Sequence, residues 1–292
     1  MRDRIFSVFV FLVVLAVFSS GAAAQVYLPG DKSDARKKAA EESKAKLTYD
    51  PHDLSGIWRG GQGAPQPKGD PRIGDAHADP LLGGAPPPPM TALGLERFNA
   101  NKPSAAESWQ SRRVAPAQGN DPLGNCDPLG YPRDLGTFQM VQTPGTTFQI
   151  FNEYRHVREI WTDGRTIPAD LDPRWYGWNV GHWEGNNFIV DSTNYDDRSW
   201  LGGNGYPHSE DMKIHEVYAH PDAMTLELDM TITDPQTYTK PWVGNKRKFT
   251  LMLPKGDSIL DEYICVPSEE QSFDTGVRNL AGGDVEHSRP IH

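Results

Sequence analysis

The sequence predicts an all-β fold: an antiparallel up-and-down meander of about eight or nine strands, closed into a barrel behind an irregular N-terminal extension rich in proline and glycine. Three observations carry that expectation. From Thr137 the chain runs through "TFQMVQT", "TFQIFNEY", "HVREIWT", "WNVGHWE", "NNFIVDST", "MKIHEVYAH", "MTLELDMTIT", "KFTLML" and "ILDEYIC", all rich in β-branched and aromatic residues. Turn signals separate these runs at Pro144-Gly145, Asp163-Gly164, Gly185-Asn186, Pro221-Asp222 and Lys255-Gly256. The links are short and no helical periodicity intervenes, so consecutive strands pair, and closure removes the edges that an open sheet would expose.

In chain order, Arg2 and Arg4 precede an apolar run from Phe6 to Phe18 and the small residues Ser19 to Ala24, the pattern of a secretory signal peptide over residues 1–24. The apolar run is shorter than the roughly 20 residues that span a bilayer, and no later segment is more apolar, so the mature chain is expected to be periplasmic or secreted and not an integral membrane protein. Residues 25–50, around "SDARKKAAEESKAK", are charged and have no apolar face to bury, which reads as a solvated, mobile lead-in. Residues 51–265 form the single barrel domain, interrupted over 62–90 by a proline-rich stretch with "APPPPM" that cannot pair as a central strand. "TALGLERFNANKP" predicts a short helix, and Asp-Pro-Leu-Gly on each side of Cys126 reads as turn chemistry. In "MTLELDMTIT", Leu226, Leu228, Met230 and Ile232 share one face, as a half-buried strand requires. Residues 266–292 are left as a tail.

Cys126 and Cys265 are the only cysteines. An exported compartment lets them pair, and the bond would join the start of the meander to its end. The formal charge of −10 excludes nucleic acid as a partner, because counterion release needs a basic face. Oligomeric state is left open.

"DLSGIW", residues 53–58, resembles the Gly-x-Trp start of lipocalin-like barrels, which implies that Trp58 plugs one end of a lipocalin-like barrel. Together with "CDPLGYPR", "EYRHVREIWTDGR", "WEGNNFIVDSTNY", "HSEDMKIHEVY" and "ITDPQTYTKPW", this order of motifs resembles a set of exported bacterial proteins. That resemblance brings no activity, cofactor or substrate. Asn186, Lys213 and Val217 depart from the aspartate, histidine and arginine common at those places in the set, and Cys265 leads into "VPSEEQSF".

Familiar catalytic motifs are absent: there is no Gly-x-Ser-x-Gly, HExxH, paired CxxC, P-loop or Gly-x-Gly-x-x-Gly opening a helix. No cofactor is expected. No metal is expected either, since His182, His208 and His215 match no ligand spacing. Attention falls instead on residues 181–218, where histidines, tryptophans and carboxylates surround a glycine-rich link. Trp178, Val180, His182 and Glu184 share one strand face, while His215 and Glu216 point to opposite faces. The link from Tyr195 to Pro207, with three glycines beside Trp200 and Tyr206, is expected to be a mobile lid over the barrel's open end. His182, Asp191 and His208 are expected around one cavity, with Asp191 and His208 the close pair and the histidine pKa raised by the carboxylate.

Two function classes follow, with a weaker third. The first is an exported barrel binding a small apolar or aromatic-bearing molecule, with His182, Trp178, Trp200, Tyr206 and Trp242 as contacts and Arg158 as anchor for a ligand carboxylate. The second is a cofactor-independent acid-base enzyme, a hydratase, isomerase, lyase or hydrolase, using His208 with Asp191 or Glu216. The third is an envelope interaction protein. Bland readings stand beside each residue: a wall histidine, a turn-capping aspartate, a charged hairpin exterior around Arg158 and a packed turn around Trp242.

Overall fold

The structure, a computed structural model, describes residues 47–60, 85–102 and 119–253, together with Lys38, Glu41, Glu42, Lys44, Leu260 and Cys265. The expected signal peptide, most of the lead-in and of the proline-rich stretch, the last expected strand apart from Leu260 and Cys265, and the tail lie outside the described residues. The chain divides into two compact units, Met1–Lys46 and Leu47–His292. In the first, Lys38, Glu41, Glu42 and Lys44 are helical and exposed, with Lys44 paired to Glu41 at 3.1 Å.

The second unit is the barrel. Its strands are β1 (Gly56–Gly60), β2 (Thr137–Thr143), β3 (Thr146–Phe151), β4 (Val157–Trp161), β5 (Trp178–Glu184), β6 (Asn187–Thr193), β7 (Lys213–Asp222), β8 (Thr225–Thr233), β9 (Trp242–Val243) and β10 (Arg247–Leu251). Neighbours follow chain order from β1 to β8, and β10 closes the ring by pairing with both β8 and β1. β9 is an extra two-residue strand on the C-terminal half of β8, beyond the part that β10 occupies. The predicted closure and strand count therefore hold.

One junction departs from a pure up-and-down meander: β4 and β5 run parallel, with Ile160 beside Asn179 and Trp161 beside Val180. The reason lies in the connection, residues 162–177, which is longer than the dozen or so residues that a parallel crossover needs. The Asp163-Gly164 signal begins that crossover and does not mark a hairpin. Gly185, at φ 58°, makes the tight turn between β5 and β6 as expected.

Alternation along each strand fills the lumen. Trp58, Phe138, Met140, Phe151, Tyr218, Leu226, Leu228, Met230, Ile232 and Phe249 are buried in one core. Trp58 lies at one end of the barrel, its indole N–H donating to the Leu54 carbonyl at 2.9 Å and its ring against His220. Residues 47–55 cross that end, tied by Tyr49 to the His220 carbonyl at 2.7 Å and by His52 to the Gly185 carbonyl at 2.9 Å. The opposite end is covered by residues 121–136, 194–212 and 234–241 and by helix α1 (Ala92–Ala100). Thr91 caps α1 by accepting from Gly94 N–H at 3.0 Å, and Gly94 lets the helix approach so closely that a Cβ there would stand 2.2 Å from the Thr237 carbonyl oxygen. Cys126 and Cys265 lie at disulfide distance, with Cα atoms 5.6 Å apart.

Candidate functional site

One inner wall of the barrel is polar. Gln149 on β3, Arg158 on β4, Asn179 on β5, Ser192 on β6 and Glu216 on β7 all point inward and are buried. Arg158 and Glu216 form an ion pair with no solvent exposure on either side chain. Arg158 also donates from Nε to Asn179 at 2.8 Å, from one terminal nitrogen to Gln149 at 3.2 Å and from the other to Ser192 at 2.7 Å. Every N–H of the guanidinium thus has an acceptor, and its plane covers the Tyr131 ring at 3.8 Å. Glu216 accepts from the hydroxyls of Tyr131 and of Tyr218, the latter at 2.8 Å. Burial, and then the Glu216 charge, push the pKa of both phenols up, so both stay protonated donors. Burial alone would lower the Arg158 pKa, but Glu216, by charge and hydrogen bond, and the Tyr131 and Tyr195 phenols together outweigh that effect and hold it above the ordinary range.

Within this network Arg158 and Glu216 are saturated. Arg158 was expected to hold a ligand carboxylate, and Glu216 to act in acid-base chemistry; here each is the other's partner, with its hydrogen-bonding groups engaged inside the protein.

The expected triangle of His182, Asp191 and His208 does not form. On β5 the inward face carries Asn179, Gly181 and Trp183, so His182 points outward, half-exposed, and contacts Glu184 at 3.0 Å. Asp191 is also outward, between the inward Val190 and Ser192, and pairs with His215 across the β6–β7 ladder at 2.8 Å, each about half exposed. His208 is fully buried. Its Nδ1 donates to the Ser209 carbonyl at 3.1 Å, which leaves Nε2 to accept from the Ser199 hydroxyl at 2.8 Å. Burial lowers its pKa, against the expected rise, and outweighs the hydrogen bond to the Ser209 carbonyl and the charges of Asp234, Asp197 and Asp196, all of which act to raise it. His215 and Glu216 do face opposite ways, as alternation requires.

Nor is the link a lid by its packing. Tyr195, Ser199, Trp200, Leu201, Asn204 and Tyr206 are all buried. Tyr206 stacks on Phe98 of α1 at 5.2 Å and meets Trp242 edge-on, while Trp242 donates to the Ala85 carbonyl at 3.1 Å. Trp200, Tyr206 and Trp242 are therefore core residues that close the barrel end, where rim contacts were expected. The glycines permit tight folding of the link, and its aromatic residues then anchor it.

A cleft does exist, on the outer wall. About 370 Å³ in volume, it opens where β4 and β5 run parallel and the 162–177 crossover returns, and it is lined by Glu159, Trp161, Arg174, Trp175 and Trp178 together with the Asp196–Arg198 pair. That volume falls within the range of small-molecule pockets. Trp161 and Trp178 lie 5.4 Å apart, and Trp178 is fixed by donating to the Asp172 carbonyl at 2.8 Å. An arginine covers each tryptophan: Arg165 over Trp161 at 4.8 Å, Arg174 over Trp178 at 3.4 Å and Arg198 over Trp175 at 4.6 Å. Hydrogen bonds from Arg198 hold the Asp196 carboxyl below its usual pKa.

Beside the cleft, Tyr176 bridges two titratable groups, donating to Asp134 at 2.7 Å and lying 2.8 Å from His156 Nδ1. The turn that delivers His156 holds Tyr154 and Arg155 at φ 52° and 55°, two successive left-handed non-glycine residues. Burial pushes the Asp134 carboxyl up to about 6.

Of the expected contacts, Trp178 and Arg158 line the cleft, Arg158 with its guanidinium already committed to Glu216 and its neighbours inside the barrel. Trp161, Trp175, Arg174 and Glu159 were missed because the parallel junction that gathers them depends on the path of the crossover. No family model, curated protein or solved structure matches the chain.

Proposed function

We propose that this is an exported binding protein that carries a small, aromatic-bearing molecule in the cleft between β4 and β5. The observation that supports the reading is the clustering of Trp161, Trp175 and Trp178 around one cleft of about 370 Å³, with ring edges and faces held in place by arginines and by the Asp172 carbonyl. The lumen is a poorer container, since large side chains fill it and both ends are covered. The fitting ligand is about the size of one or two fused rings.

Isothermal titration of the mature chain with indole, a neutral planar probe, tests the reading. Trp178→Leu and Trp161→Leu should each weaken indole binding about fivefold, the scale of one aromatic contact. Unchanged affinity in both variants, or no binding to the unsubstituted chain, would overturn it.

A further inference from the structure

Three tryptophans of the wall each carry an arginine, yet the three arginines differ in what they have left to offer. Arg165 is paired with Asp163, its Nε at 2.9 Å from one carboxylate oxygen and 2.8 Å from the other. Arg198 is likewise paired with Asp196, its Nε at 2.9 Å and 3.1 Å from the two oxygens. Arg174 stacks on Trp178 at 3.4 Å, and its side chain makes no hydrogen bond or ion pair among the described residues. Stacking uses the flat face of a guanidinium and leaves its N–H edge pointing outward, the geometry that grips a carboxylate with two parallel bonds.

Glu159 is the complement. It lies on the outward face of β4, exposed and lining the same cleft, and its carboxylate has no partner among the described residues. It stands one residue before Ile160, whose parallel-ladder partner Asn179 follows Trp178. Trp178 is therefore a neighbour to both charges, stacked under one and beside the other across the ladder. Arg174 and Glu159 form no ion pair with each other although both line a cleft of about 370 Å³.

We infer, on the reading that this cleft is the ligand site, that its ligand is a zwitterion: an aromatic body bearing a carboxylate for Arg174 and an ammonium group for Glu159. A free amino acid with a ring side chain has that chemistry. Neither charge sits in a dry interior, so each contributes modestly, and specificity comes from requiring both around one ring.

Four probes that share one ring system separate the charges: indole, indole-3-acetate, tryptamine and L-tryptophan, titrated calorimetrically at low salt into the full mature chain. The expected order places L-tryptophan tightest and indole weakest, with each charge adding about fivefold. Arg174→Gln should erase the advantage of indole-3-acetate over indole and leave that of tryptamine, while Glu159→Gln should do the reverse. Equal binding of all four probes would overturn the inference and leave the binding reading standing. So would tryptamine binding more weakly than indole, which marks a simple anion site, or charge preferences that survive both substitutions. Failure of every probe, indole included, would remove the binding reading and this inference together.

Discussion

The two arginines that flank β4's junction with β5 make an instructive pair. Arg158 points into the barrel, and every donor it owns meets Glu216, Gln149, Asn179 or Ser192. Arg174 lies on the outer wall, stacked on Trp178, with its donors free of any described partner. The inner group was desolvated on folding, a loss that is recovered only if the pairing is complete. The outer group keeps contact with water and can exchange it for a ligand. Conspicuous charge at a core position is thus a guide to architecture in this fold, and the unsaturated charge in a concave aromatic setting is the guide to binding.

Breaking the inner pair is the harshest test of that contrast. Arg158→Met or Glu216→Leu, each leaving one charge buried alone, should lower unfolding free energy by about 3–5 kcal/mol in urea titration. Both changes together should be much less harmful than their sum. Simple additivity would mean that the two side chains do not act as a unit.

A somewhat smaller loss is expected from removing the cross-link that ties residues 121–136, and so Tyr131, to Cys265 beyond the last strand. Cys126→Ser should cost about 2–4 kcal/mol in stability, and affinity in the wall cleft should not change. A loss of indole affinity at temperatures where the variant remains folded would show that the cleft depends on that cover.

pH separates the two regions further. Burial raises the Asp134 carboxyl from 3.8 to about 6, so the folded state holds this proton more tightly than the unfolded chain. Its contribution to stability is therefore largest in acid and declines as pH rises from about 4 to about 6, by on the order of 2–3 kcal/mol. His208 works in the opposite sense: its folded pKa lies below the ordinary 6.5, so acidification below that value favours unfolding. Asp134→Asn should make stability fall more steeply on going from pH 6.5 to 4, and His208→Gln should make it fall less. Parallel profiles for both variants and the parent would contradict these assignments.

The smallest stability effects belong to the cleft. Trp178→Leu and Arg174→Gln should stay within about 0.5–1 kcal/mol of the parent, as partly exposed positions do, while ligand affinity falls. Large destabilisation by Arg174→Gln would make it a structural residue like Arg158.

Much of the barrel is written locally. Alternation in β8 placed Leu226, Leu228, Met230 and Ile232 on the core face, and the same rule was sufficient to place the inner charges: Arg158 shares parity with Ile160, and Glu216 with Ile214 and Tyr218. Two opposite charges at core parity can be tolerated only as a pair, and that signal is present in the sequence. Parity in β5 and β6 was legible too, but which parity faces in was not. Asn179 and Gly181 are inside and Val180 is outside, so polarity misleads there. The cleft was out of reach, because it needs the crossover from Trp161 to Trp178 to return along the barrel, and no short-range feature of residues 162–177 specifies that path. The link over residues 195–207 was misjudged for a related reason: glycines suggested motion, whereas burial of Trp200, Leu201 and Tyr206 ties it down.

On the proposed reading the ligand sits on the wall and not in the lumen. Intermolecular NOEs measured on the indole complex, with methionine methyl groups and tryptophan rings isotopically labelled, distinguish the two places directly. Contacts are expected from indole to Trp178 and Trp161, with the lumen methyl groups of Met140 and Met230 undisturbed. Contacts from indole to those methyl groups, and none to the wall tryptophans, would contradict it.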